Sequence, residues 1–123
     1  MDRNGENMRE YTKIFKALSD EGRLRILNLL VRKPLCVCEI TEILQLATST
    51  VSKHLSILRE AGFIIDKKDG KWVNYYLNDA ADEQVRVLIE TLIGWLNRNQ
   101  TALNDIAKLA TIDRNHICGV KHS

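Results

Sequence analysis

A chain of 123 residues, 45% apolar and 28% charged, can build one ordinary domain with a modest core, and this composition argues against disorder. The net charge of +2 neither requires nor excludes a nucleic-acid partner, so the distribution of charge must decide. The polar start MDRNGENMRE and the lack of a membrane-length apolar run argue against a secretory signal and a membrane partner. Three cysteines with no export signal then predict a reducing, cytoplasmic setting rather than a disulfide framework.

In chain order, residues 1 to 7 are expected to fray. Tyr11, Ile14, Phe15 and Leu18 mark one apolar side of a helix from Met8 to Leu18, and Ser19-Asp20 offers a cap for the next. Glu21 to Arg32 repeats Leu24, Leu27 and Val31 on one line, widened by Ile26, Leu29 and Leu30, which predicts a central, buried helix. Pro34, the only proline, separates it from Cys36 and Cys38. In the next short helix Val37, Ile40 and Ile43/Leu44 face a core, and Gln45-Leu46-Ala47 turns the chain.

The following helix opens at Thr48, a residue able to cap it, and buries Val51, Leu55 and Leu58. Its other side carries Ser49, Thr50, Ser52, Lys53 and His54, hydrogen-bonding residues with no acid among them. A short helix buttressing such a helix is the helix-turn-helix arrangement that presents side chains to a DNA major groove. Phe63-Ile64-Ile65 and Trp72 to Leu77 then read as two strands joined at Asp69-Gly70, with Lys67, Lys68 and Lys71 clustered at the tip. A basic hairpin placed there can reach the phosphate backbone.

Residues 45 to 77 hold five Lys/Arg against three Asp/Glu, and residues 78 to 123 hold five against six. So small an excess predicts that DNA affinity depends on two copies acting together.

From about 82 to 110 an apolar spacing of three and four runs through Val85, Leu88/Ile89, Leu92, Trp95/Leu96, Leu103 and Ile106. It predicts a dimerisation helix of about 28 residues, a rod of about 42 Å, weakened at Gly94 and at Asn97 to Gln100, where a bend is expected. Its surplus stripe, with Tyr11, Ile14 and Phe15, is expected to meet a second copy. Beyond Thr111 a flexible tail, about 112–123, is expected. The predicted fold is thus mainly α with a small β-hairpin: one winged helix-turn-helix domain over residues 1–123, with about five helices, a two-stranded wing, and a dimer through the first and last helices.

Three runs together resemble the arsenic-responsive repressors of the ArsR/SmtB family: Leu35-Cys36-Val37-Cys38-Glu39-Ile40; Ser49-x-x-Ser52-x-His54-Leu55-x-x-Leu58-x-x-Ala61-Gly62; and Gly70-Lys71-Trp72-Val73-x-Tyr75-x-Leu77. Leu18-Ser19-Asp20-x-x-Arg23-Leu24-x-Ile26-Leu27 is similar to the same family, and the likeness spans most of residues 8 to 96. The resemblance implies a homodimeric repressor that holds a palindromic operator in double-stranded DNA and leaves it when a toxic metal or metalloid binds. DNA contacts would then fall to Thr48, Ser49, Thr50, Ser52, Lys53, His54, Lys67, Lys68 and Lys71.

Cys36 and Cys38 carry soft sulfur donors suited to thiophilic ions such as As(III), Sb(III), Cd(II) or Zn(II), and the resemblance implies As(III) or Sb(III) as inducer, with no organic cofactor. They lie at a helix N-terminus, which favours thiolate over thiol. Side chains two apart diverge around a helix, so gathering both sulfurs on one ion is expected to distort the backbone, shift the recognition helix and weaken DNA binding. The bland reading is two small buried hydrophobes.

The arsenic sensors it resembles most carry a third cysteine where this chain has Thr41, so Cys118 or an external thiol is the candidate third metal ligand. The cadmium and lead sensors add N-terminal cysteines, absent from residues 1 to 35, and the zinc sensors use histidines on the last helix, absent from residues 82 to 112. Glu39 and Glu42 lack any nucleophile or cofactor loop around them, which argues against an enzyme. The alternatives are a repressor switched by cysteine oxidation and a protein-binding winged-helix scaffold with no DNA role.

Overall fold

The computed structural model describes residues 7–115 and 117. Six helices and one hairpin follow in order: α1 (Met8–Leu18), α2 (Glu21–Leu30), α3 (Val37–Leu44), α4 (Thr48–Glu60), β1 (Ile64–Asp69), β2 (Trp72–Leu77), α5 (Glu83–Leu96) and α6 (Gln100–Leu109). No helix among the described residues is long and apolar enough to cross a membrane. The predicted winged helix-turn-helix is present, with six helices rather than about five.

The core gathers where the periodicity of the helices converges. Ile26, Leu27 and Leu29 of α2, Ile40 and Ile43 of α3, and Val51, Leu55 and Leu58 of α4 are all buried, together with Leu35 and Phe63. Burying one such side chain fully is worth about 1.5–3 kcal/mol, so this cluster fixes the angle at which α4 is held out. Asp20 caps α2 by accepting the Arg23 N–H at 3.2 Å, as the Ser19-Asp20 pair predicts. The cap of α4 differs from expectation. Ala47 is its N-cap, with no side-chain bond, and Thr48 is already the first helical residue.

The strands pair antiparallel from Ile64 opposite Leu77 to Asp69 opposite Trp72. The turn is therefore Gly70-Lys71, and Gly70 has φ +63°, the left-handed region that suits a residue without Cβ. Leu35 extends this sheet by a single residue: its N–H donates to the Tyr75 carbonyl at 3.2 Å, and its carbonyl accepts the Tyr75 N–H at 2.8 Å. The residue before the cysteine pair is thus stitched to the wing.

Two expectations for the C-terminal third need correction. The long rod over about 82–110 is two helices, broken within the weak stretch 97–100. Asn99 caps the second by accepting the Ala102 N–H at 3.0 Å. With its own cap, α6 folds back on α2. Asp105, buried, takes two bonds from Arg25 at 2.8 and 2.9 Å, and Asn28 Nδ2 donates to the Ala102 carbonyl at 3.2 Å. Ile106 and Leu109 pack against the core, so this part of the stripe is covered by its own subunit, whereas Leu103 stays 44% exposed. Nor is the start of the expected tail loose; its residues 116 and 118–123, like most of the fraying expected at residues 1 to 7, lie outside the described residues. Ile112 packs against the core and Arg114 is bonded to both α3 and β2.

Candidate nucleic-acid interface and cysteine cleft

Helix α4 exposes a polar face beside its buried one. Thr48, Ser49, Thr50, Ser52 and Lys53 are exposed, while Val51, Leu55 and Leu58 point inward. Among the described residues, none of these five side chains is hydrogen-bonded within the protein, so their donors remain available to a partner. His54 is placed differently from its neighbours. Its side chain is only 12% exposed and turns into the start of α2, with Nδ1 3.1 Å from an Arg23 guanidinium nitrogen and Nε2 3.6 Å from Asp20 Oδ1.

An arginine can only donate, so Nδ1 accepts and the ring proton belongs on Nε2, facing the carboxylate. Burial pushes the His54 pKa down; Asp20 pulls against this, and Arg23 and Lys53 add to it. Burial would raise the Asp20 carboxyl, but the Arg23 N–H and the charges of His54 and Arg23 outweigh it and hold it low. Gly22 makes this approach feasible, since a Cβ there would lie 2.9 Å from His54 Nε2. His54 therefore anchors α4 to α2 in this structure instead of facing outward with the others.

In the wing, Lys67 and Lys68 are successive residues of β1 and so point to opposite faces of the ribbon, while Lys71 lies in the turn. The Lys67 ammonium sits 5.2 Å from the Tyr76 ring centroid and that of Lys71 sits 5.0 Å from Trp72. Both remain exposed, so an aromatic stem orients each cation without consuming it.

Cys36 is the N-cap of α3, with extended backbone (φ −95°, ψ 171°), and Cys38 falls in its first turn. The extended cap lets both residues line one cleft of about 380 Å³, closed by Val37, Lys71, Trp72 and Val73. The two cysteines are unlike each other: Cys36 is buried and Cys38 half-buried. Cys36 also forms a reciprocal capping box, its sulfur accepting the Glu39 N–H while its own N–H donates to Glu39 Oε1 at 2.9 Å.

Burial pushes the Cys36 thiol pKa up. The Glu39 N–H and Arg114 act in the opposite direction, and the Glu39 carboxylate adds to the rise. Burial at this residue thus works against the thiolate that the helix N-terminus favours. Thr41, where a third sulfur would sit in the resembling sensors, donates to the Cys38 carbonyl at 2.8 Å. Among the described residues no three His, Cys, Asp or Glu side chains gather as a metal site. Cys118, the candidate third ligand, lies outside the described residues.

Arg114 was not among the expected site residues, yet it reaches this cleft. It donates to Glu39 Oε1 through Nε at 3.2 Å and a terminal nitrogen at 2.9 Å, and to Asn74 Oδ1 at 2.5 Å; its guanidinium carbon lies 5.1 Å from the Trp72 ring centroid. No periodicity marks such a residue. The signal that could have found it is Glu39, an acid at a position the helix must bury and which therefore needs a cationic partner.

An unpartnered polar face on a buttressed helix, followed by a basic hairpin, defines a winged helix-turn-helix DNA-binding module. The family model for bacterial regulatory proteins of the arsR family matches residues 20–66. The arsenic resistance transcriptional regulator ArsR1 of Pseudomonas putida is 38% identical over 111 residues, 86% of this chain and 84% of that one. A cadmium resistance regulatory protein, the CadC homolog of Staphylococcus aureus, is 40% identical over 86 residues, 69% of each. The solved structure of reduced HlyU from Vibrio cholerae superimposes with a TM-score of 0.60 at 33% identity, covering 71% of this chain and 88% of that one. The chain belongs to the ArsR family: it is a DNA-binding transcriptional regulator and not an enzyme.

Proposed function

We propose that the protein represses a metalloid-resistance operon as a homodimer on a palindromic operator and leaves it when As(III) or Sb(III) is captured by Cys36 and Cys38. The observation that carries this reading is the shared cleft: both cysteines open onto it at the start of the helix that buttresses α4. A neutral thiol suits arsenous acid. Each thiol replaces one hydroxyl on arsenic, and its proton leaves in the water released, so no redox partner is needed. Capture must take the Cys36 sulfur from the Glu39 N–H, and this is the differential interaction through which an ion can bias the fold against DNA. Cys118 follows Arg114 by four residues, a span of at most roughly 14 Å, which brings a third sulfur within chain reach of the cleft.

The dimer reading rests on an apolar face that the described residues leave uncovered. Phe15 is 59% exposed, Val87 50% and Trp95 66%, and with Tyr11 and Leu88 these belong to α1 and α5. Sedimentation is expected to give a dimer for the full chain and a monomer for Phe15→Glu. In each protomer the exposed donors of α4 would meet the groove, with Lys67, Lys68 and Lys71 on flanking backbone.

The deciding experiment is an operator-release titration with As(III), Sb(III), Cd(II), Zn(II) and peroxide under controlled reduction. It is run on the wild type, on Cys36→Ser, Cys38→Ser and Cys118→Ser, and on the double variant Cys36→Ser/Cys38→Ser. Release by As(III) that needs Cys36 and Cys38 supports the reading. Release by peroxide alone transfers the switch to cysteine oxidation, and release of the double serine variant by As(III) places the trigger elsewhere.

A further inference from the structure

The capping carboxylate of α3 is shared between two elements far apart in sequence. Glu39 Oε1 accepts the Cys36 N–H at 2.9 Å and also both Arg114 bonds, so a single oxygen serves the cysteine turn and the C-terminal segment. Arg114 then continues to Asn74 Oδ1 and the Trp72 ring, both on β2, the strand that Leu35 joins through Tyr75. Glu39 and Asn74 are 3% and 6% exposed, so these are interior contacts. A buried carboxylate is tolerated because a charged partner meets it, and a planar guanidinium can satisfy two acceptors at fixed angles while stacking on a ring.

We propose that Arg114 is a positioning residue for operator binding: its guanidinium holds the cysteine turn against the wing, and ion capture releases that hold. The second half rests on the metalloid reading above; the first does not. When Cys36 turns its sulfur to an ion, the capping box opens and Glu39 loses the Cys36 N–H. The carboxylate is then free to follow Arg114 or to part from it. Either movement changes how β2, and with it Lys71 in the turn, is presented beside α4.

The test uses the full chain as wild type, Arg114→Ala, Arg114→Lys and Asn74→Ala. It measures operator affinity with and without As(III), and amide hydrogen exchange at residues 36–39 and 72–75. Arg114→Ala is expected to weaken ion-free operator binding about tenfold, the size of a typical coupling change, and to speed exchange in both stretches. It should also shrink the ratio of affinities without and with As(III). Arg114→Lys keeps the charge but not the fork, and is expected to fold while leaving exchange at 72–75 fast. Asn74→Ala should free 72–75 and leave 36–39 protected.

Wild-type exchange at 72–75 together with operator affinity within about twofold in Arg114→Ala overturns the proposal. So does faster exchange confined to residues after 109. Should Arg114→Ala not fold, the lysine and Asn74 variants decide by the same criteria. If As(III) does not release even the wild type, the metalloid reading fails, and the ion-free affinity and exchange still judge Arg114.

Discussion

The first turn of α3 and the exposed face of α4 belong to one helix-turn-helix, yet they are bonded in opposite ways. In the first, buried Cys36, Glu39 and Asn74 are joined by hydrogen bonds through the half-buried Arg114. On the second, Ser49, Thr50, Ser52 and Lys53 are exposed and make no side-chain bonds within the described protein. A face without internal partners can bind and release DNA without disturbing the fold that carries it. A turn woven into the core cannot accept a new ligand without breaking something, which suits it to a switch. Substitutions should therefore separate cleanly, costing stability in the turn and operator affinity on the helix.

The largest effect is expected from Glu39→Ala, which removes half of the capping box and the carboxylate oxygen that accepts two Arg114 bonds. Loss of about 3 kcal/mol in urea unfolding is expected, the lower end for breaking a buried pair. A loss below 1 kcal/mol would show that the turn is no more constrained than the α4 face. Lys53→Ala should do the reverse. Stability should stay within about 0.5 kcal/mol, while operator binding weakens and the slope of log affinity against log salt falls by about one. An unchanged slope would take Lys53 out of the interface.

Cys36→Ser sharpens the comparison within one residue, because serine caps a helix well and binds soft ions poorly. Thermal unfolding is expected to change by less than about 1 kcal/mol, whereas release by As(III) should be lost. Cys36→Ala would lose both cap and ligand, so only the serine variant isolates the sulfur.

Much of this division was legible in the residue pattern. The spacing of Val51, Leu55 and Leu58 fixed which side of α4 is buried, and hence which donors face out, because a helix has one period and one core. The hairpin was equally readable from its β-type runs and Gly70. The path of the C-terminal third was not. A stripe of three and four through Leu103 and Ile106 says that a surface will be covered and is silent on whether α2 or a second copy covers it. The buried pairing of Asp105 with Arg25, 80 residues away in sequence, decides that, whereas the Asn99 cap that starts α6 is a local contact to Ala102. For the same reason Arg114 stayed hidden: one arginine in a polar segment looks like any other until the buried Glu39 and Asn74 that it meets are located.

His54 tests where the boundary between the two regions falls, since it lies on the DNA-reading helix but is bonded like the turn. Its depressed pKa fixes the sign. A group whose folded pKa lies below its unfolded value contributes stability that is complete above the unfolded pKa and is lost as pH falls through the folded one. Protonation there removes the Nδ1 lone pair that accepts from Arg23 and sets a second cation beside that guanidinium, with Asp20 offsetting only part of the repulsion. Unfolding free energy should therefore decline as the solution is taken from neutral to mildly acidic, and His54→Gln should flatten that decline. Operator affinity at neutral pH should change less for His54→Gln than for Lys53→Ala. An imidazole that anchors α4 gives that order of effects, whereas one that reads the groove would reverse it, and the boundary would then lie on the α2 side of the ring.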